Sequence, residues 1–255
     1  MLRLLLRVCN AAVNLVTALA LLLCGSYGAY ALWDNEQVLT AASDVQADML
    51  KLKPVTAEEG AQDNTAAFAQ LRGINPDVCG WITMEATGID FPVLHGENNL
   101  SYISKDVYGN FSLAGSIFLD SRNDPAFSDS YTLLYGHHMA DGRMFGDLDK
   151  YKEEAFFLEN TAGQLILPEQ TWKLEVFACL LVSASDQRIF DPETVGTDIS
   201  ALLNYAQQKA VQLSGDALLR AAEAEKVIAL STCSSEFTDA RTIVLAVMEP
   251  ALPGE

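Results

Sequence analysis

Residues 225–248 read E-K-V-I-A-L-S-T-C-S-S-E-F-T-D-A-R-T-I-V-L-A-V-M, and the rest of the chain is best understood outward from them. Lys226 to Leu230 and Thr242 to Met248 are rich in aliphatic and β-branched residues, which suit a pleated, half-buried surface. The polar run Ser234 to Ala240 between them has loop composition, so a strand, loop, strand unit is expected. Cys233 closes the first strand and Arg241 opens the second. Antiparallel pairing then brings a thiol and a guanidinium to one end of a sheet. The thiolate is a nucleophile, and the guanidinium is a permanent cation that can donate two parallel hydrogen bonds to an oxygen.

A thiol nucleophile also calls for a base, and the chain has three histidines. His137 and His138 follow an apolar run in T-L-L-Y-G-H-H-M, residues 132–139. On an extended segment neighbouring side chains point to opposite faces, so at most one of the pair faces the cysteine, and residue types alone do not choose between them. His95 follows the strand-like Phe91 to Leu94 and is expected at a turn or on the surface. Arg241 has a plainer reading too, a surface pair with Asp239 or Glu236 worth about 0–1 kcal/mol.

Half of the 255 residues are hydrophobic, enough for one sizeable core. The net charge of −18, from 34 acidic and 16 basic residues, argues against nucleic acid or an anionic membrane surface as the main partner. Of five cysteines, Cys9 and Cys24 lie in or beside the amino-terminal apolar stretch. Cys79 and Cys179 are flanked by apolar residues and read as small core residues rather than a bridge. No cysteine or histidine pair has zinc-ligand spacing, so neither a metal nor another cofactor is expected.

Residues 11–32 form an apolar span of the roughly 20 residues that a helix needs to cross a bilayer. Arg3 and Arg7 precede it and Asp34 and Glu36 follow it, which places residues 1–10 in the cytoplasm and the remainder outside, with a cleaved signal peptide as the rival reading. Residues 33–72 read as a helical stalk: Val38, Ala41, Ala42, Val45, Met49 and Leu52 share a helical spacing up to Pro54, and a second helix is expected over residues 58–71. From Asn75 onward, short apolar runs separated by Gly, Asn, Asp and Pro indicate a mostly β domain over residues 73–250, with a tail at 251–255. Residues 172–182 form a further strand candidate, and residues 145–158 one or two helical turns. Ile199, Leu202, Leu203, Ala206, Ala210 and Leu213 define a helix capped by Asp198.

Taken together, A-L-S-T-C with Arg241 eight positions after the cysteine, Y-G-H-H-M-A-D-G-R-M-F-G-D-L upstream, N-P-D-V-C-G-W-I-T at residues 75–83, I-D-F-P-V-L at 89–94 and G-S-I-F-L-D at 115–120 resemble the class B sortases. The resemblance spans roughly residues 72–248. It implies an eight-stranded sortase-type β-barrel with amino-terminal helices and a helix inserted before the cysteine strand. Because the family's base directly follows the glycine, it also selects His137 over His138. The chain departs from the family at Ala229, where Thr is expected, and at Ser234, where an acidic residue is frequent.

The activity implied is transpeptidation. Cys233 attacks the carbonyl of a Thr in an extended sorting motif and forms a thioester, His137 moves protons to the departing and from the incoming amine, and Arg241 holds the substrate backbone or the oxyanion. Ser231, Thr232 and Ser234, which flank the nucleophile, are the candidate substrate-binding residues. Implied partners are secreted proteins with a carboxy-terminal motif of the N-P-x-T-N or L-P-x-T-G kind. The amine acceptor would be a cell-wall peptide, its lipid-linked precursor or a pilin lysine. A membrane-anchored cysteine peptidase and an inactive wall-associated binding module are the alternatives.

Overall fold

The structure, a computed structural model, describes residues 1–55, 63–224, 226–234, 236 and 238–251. Residues 58–62 of the expected second helix, Glu225, the loop residues 235 and 237, and residues 252–255 of the tail lie outside the described residues. The chain forms two units, Met1–Ala41 and the remainder from Ala42.

Helix α1, Leu2–Leu50, is continuous from the apolar stretch into the first part of the expected stalk. Residues 33–50 contain neither Gly nor Pro, so nothing in them breaks the helix before its end at Leu50, ahead of the expected break at Pro54. Its most apolar 18-residue window has a mean hydropathy of 2.0, and this helix is long and apolar enough to cross a membrane. Helix α2 spans Thr65–Ile74, three residues beyond the expected end.

The strands follow as β1 Val78–Met84, β2 Asp90–Leu94, β3 Ile117–Leu119 and β4 Tyr131–Tyr135, then β5 Ala162–Ile166, β6 Thr171–Ser183, β7 Ala210–Leu213, β8 Val227–Cys233 and β9 Ala240–Pro250. A 3-10 segment, Gly146–Lys152, and helix α3, Glu154–Glu159, lie between β4 and β5. Helices α4 Gln187–Phe190, α5 Pro192–Val195 and α6 Ile199–Lys209 lie between β6 and β7, and α7 Gly215–Ala224 precedes β8. The sheet order is β5-β1-β2-β3-β4-β8-β9-β6-β7, and an additional β5–β6 pairing closes eight of these strands into a barrel. Closure pairs each of those eight strands on both sides along at least part of its length. β6 is long enough to use one edge twice: Thr171 to Glu175 pair with β5, and Ala178 to Leu180 pair with β7, a ninth strand outside the closed ring.

Strand alternation divides the core. Ile228, Leu230, Val244, Ala246 and Met248 face the barrel interior with Leu134, Phe145 and Phe157. Val227, Ala229, Ile243, Leu245 and Val247 face outward beneath Leu202, Ala206, Ala217 and Ala221 of α6 and α7. A third cluster joins Phe68 and Leu71 of α2 and Met49 of α1 to Trp81, whose indole N–H donates to Asp90 Oδ1 at 2.6 Å.

Asp198 caps α6 as expected, accepting from the Ala201 N–H at 3.1 Å. The helical face expected through Leu213 ends early: α6 stops at Lys209 and residues 210–213 become β7. Backbone pairing with the free half of the β6 edge competes successfully with another turn of helix here. Helix α7 and strand β5 had no sequence reading of their own.

Candidate active site

The pairing of β8 with β9 puts Cys233 directly opposite Arg241. Directly opposed residues in an antiparallel pair project from the same face. That face is the outer one, because Cys233 is in phase with Val227 and Ala229, and Arg241 with Ile243 and Leu245. The turn between them is held by Ser234 N–H donating to Ala240 O and by Ala184 N–H donating to Asp239 O, both at 2.9 Å. Asp239 takes a positive φ of 59°, which a short polar side chain tolerates.

The histidine arrives by the neighbouring strand. β4 runs parallel to β8 with Tyr135 beside Ser231, and the Gly136 N–H extends the ladder to Ser231 O at 3.1 Å. Two residues further along each strand come His137 and Cys233, both in phase with the outer face. Gly136 is required by packing rather than by conformation: a Cβ there would lie 2.5 Å from Ile117 Cδ1 and 2.7 Å from the Phe145 ring.

His137, Cys233 and Arg241 line one cleft of about 410 Å³, whose walls include Ile103, Phe118, Tyr135 and Phe190. Among the described residues Arg241 pairs with no carboxylate; its guanidinium donates to Ala240 O at 2.9 Å. Cys233 is exposed, whereas Cys79 and Cys179 are buried. Burial pushes both of those thiols up to about 12, which leaves them protonated and inert at neutral pH.

His138 turns the other way. Its Nε2 lies 3.1 Å from Asp149 Oδ2. Thr242, adjacent to Arg241 but on the opposite face of β9, donates to Asp149 Oδ1 at 2.7 Å. Lys152 pairs with Asp149 and with Glu236 of the β8–β9 loop. Burial is the largest influence on Asp149 and would raise its pKa, but donation from Thr242 and Lys152 outweighs it and holds the carboxyl below its usual range. This network ties the inner side of β9 and the segment after β4 to the 3-10 segment. The Glu236 partner is therefore Lys152 rather than Arg241.

Of the flanking residues, Ser231 and Thr232 line the cleft although each is only 2% exposed. Ser234 is not among the lining residues, and its buried Oγ has no hydrogen-bond partner among the described residues. His95 borders a separate polar depression with Asp77, Glu97 and Lys105. No group of three or more His, Cys, Asp or Glu among the described residues is arranged to hold a metal.

Sequence reasoning missed the cleft residues Asn99, Ile103, Arg122 and Tyr135, among others. Tyr135 alone carried a signal, lying two residues before His137 and hence on its face. Arg122 is a second cation on the cleft wall, clamped by both oxygens of buried Asp120 and by Phe190 O. Tyr135 Oη and Asn99 Nδ2 also donate to Asp120, each at 2.9 Å. Burial again would raise the Asp120 pKa, but bonds from Arg122, Tyr135 and Asn99 together lower it. A carboxyl whose folded pKa is depressed adds stability above its unfolded value of about 4, and that stability is lost as pH falls through the folded value. Asp120→Asn is therefore expected to destabilise the protein by about 1–3 kcal/mol at pH 7. The deficit should be smaller at a pH well below that unfolded value, where the stability linked to the ionised carboxyl is progressively lost. Thermal melts at the two pH values check this, and an equal deficit at both would contradict the assignment.

The Sortase domain family model matches residues 82–249. Sortase B of Listeria monocytogenes is 31% identical over 207 residues, covering 80% of this chain and 81% of its own. A Streptococcus pyogenes class B sortase involved in pilus biogenesis has a similar structure, with 39% identity, a TM-score of 0.62, and coverage of 71% of this chain and 97% of its own. The Staphylococcus aureus sortase B–substrate complex aligns with a TM-score of 0.63 at 26% identity, over 83% of this chain and 94% of its own. The closed eight-stranded barrel, the edge that unites a thiol, an imidazole and a guanidinium, and these matches agree, and the chain belongs to the sortase family as a class B cysteine transpeptidase.

Proposed function

We propose that this class B sortase is membrane-anchored by residues 11–32, with residues 73–250 acting outside the cell on secreted proteins that end in an N-P-x-T-N- or L-P-x-T-G-like motif. Cys233 attacks the Thr carbonyl carbon, the C–N bond breaks, and His137 supplies the proton that the departing amine requires. The resulting thioester divides one difficult step into two easier ones. An incoming amine then attacks the thioester carbon, His137 takes its proton, and Cys233 departs as thiolate. Arg241 donates to the oxygen on which charge develops in both halves. Ser231 and Thr232 form the cleft wall along which the extended motif lies. The observation that carries this reading is that an exposed cysteine, a histidine and an arginine without a carboxylate partner line one cleft of about 410 Å³.

The acceptor is a cell-wall precursor amine in this reading. A second reading, in which a pilin lysine is the acceptor, is favoured by the similarity to the pilus-biogenesis enzyme. Intact-mass analysis of the full chain in detergent, with a panel of sorting-motif peptides and either peptidoglycan-type or lysine amines, separates the cases. An acyl adduct that converts to a peptide–amine product supports transfer, and the preferred amine selects between the readings. Hydrolysis alone across all amines would replace transpeptidation by peptidase action on these substrates.

A further inference from the structure

The His137 ring is oriented not by a carboxylate but by the backbone. Its Nε2 lies 2.6 Å from Ile103 O, on the loop that joins β2 to β3. A carbonyl oxygen can only accept, so the hydrogen bond requires a proton on Nε2. The loop is built to hold that carbonyl close to the ring. Ser116 N–H donates to Tyr102 O at 3.1 Å, and Ser116 Oγ donates to Lys105 O at 2.8 Å. Between this bracket and the ring sits Gly115, at a φ of +59°. A Cβ on Gly115 would lie 2.7 Å from Ile103 O, 2.9 Å from Tyr102 O and 3.1 Å from His137 Cδ2. Two atoms of one ring edge, Cδ2 and Nε2, therefore face the loop. Nδ1 is on the other side of the ring and has no hydrogen-bond partner among the described residues.

We propose that Ile103 O, kept in place by the side-chain-free turn at Gly115, fixes His137 as the Nε2–H form and makes Nδ1 the nitrogen that exchanges protons with substrate. Ile103 and Gly115 are thus positioning residues for the reaction. The inference rests on the role of His137 in the proposed function. In the first half-reaction the Sγ–C bond forms and the C–N bond breaks, and the proton on Nδ1 of the imidazolium passes to the departing amine nitrogen. The neutral Nε2–H imidazole remains. In the second half the incoming nitrogen bonds to the thioester carbon, its proton goes to Nδ1, and the S–C electron pair leaves with sulfur. Nε2 keeps its proton and its bond to Ile103 O throughout, so the ring does not rotate between the half-reactions. The carbonyl dipole meets the imidazolium charge in the role that a carboxylate has in a Ser-His-Asp triad.

Full-length protein in detergent micelles, labelled with 15N-histidine, carries only three imidazoles, and His95→Asn and His138→Asn assign them. Long-range proton–nitrogen spectra at a pH where the ring is neutral should show His137 Nε2 as pyrrole-type and Nδ1 as pyridine-type. An Nδ1–H ring, or an even mixture, overturns the inference. Gly115→Ala should shift the ring toward a mixture and lower kcat ten- to hundred-fold while KM for the motif peptide stays within twofold. A folded Gly115→Ala protein with unchanged tautomer and kcat also overturns it. Should that variant fail to fold, the wild-type tautomer decides the matter alone. His137→Ala separates the two levels: retained turnover removes the role of His137, whereas lost turnover with an Nδ1–H ring removes only the assignment to Ile103.

Discussion

Cys233→Ala should abolish thioester formation and reduce transpeptidation by at least about 10^4-fold, because removing the nucleophile of a covalent mechanism leaves only binding and oxyanion stabilisation. Intact-mass detection of the acyl adduct makes the measurement direct. The two other cysteines of the folded unit, Cys79 and Cys179, are buried with thiols held protonated, so they cannot substitute. Cys79→Ala and Cys179→Ala should keep turnover and lose stability, since each would leave a small void in a close-packed core. Adduct formation at normal rate in Cys233→Ala would move the nucleophile elsewhere and overturn the site.

Arg241→Met should lower the rate of acylation by about 10²–10³, corresponding to about 3–4 kcal/mol for the loss of a donor aimed at a developing oxyanion. The magnitude follows from placement. Arg241 is fixed opposite Cys233 by strand register, not by a flexible surface pair, and among the described residues no carboxylate neutralises it. Arg241→Lys should recover only part of the loss, because an ammonium offers a point charge where the guanidinium offers two parallel donors. Single-turnover acylation measured by rapid quench and mass analysis isolates this step from acceptor binding. Acylation within threefold of wild type in Arg241→Met would leave the guanidinium with a structural role only.

The second cleft cation, Arg122, differs from Arg241 in what holds it. Arg122 is clamped to Asp120, and through Phe190 O it joins the β3–β4 loop to the helical insertion that forms one wall of the cleft. Its charge is largely answered within the protein. Arg241 is the cation left available to a ligand, even though the chain as a whole carries a charge of −18.

Much of the site was legible because it is local. The β8–β9 unit is a single stretch of chain whose composition changes from aliphatic to polar and back, so the strands, the loop and the opposition of Cys233 to Arg241 follow from short-range pattern. The Asp198 cap is equally local. Residues 210–213 were not: they continue a helical spacing, yet the unfilled half of the β6 edge recruits them as β7. The helical spacing from Val38 to Met49 was legible for the same reason as the cap, since nothing in residues 33–50 interrupts a helix.

The sequence by itself determined the residue types that the proposed chemistry uses, the strands that present Cys233 and Arg241, and the presence of one apolar span long enough to cross a bilayer. Alternation allowed only one of the two adjacent histidines to face the cysteine, and the family resemblance selected His137. Only the tertiary structure decided which face is which. The parallel register of β4 with β8 puts His137 in phase with Cys233 on the outer face and sends His138 to Asp149 on the inner one. It also brought Ile103, 34 residues away, to the imidazole, and clamped Arg122 beside the cleft. Those contacts depend on barrel closure and on how a long loop folds back, and neither leaves a periodic or compositional trace in the chain.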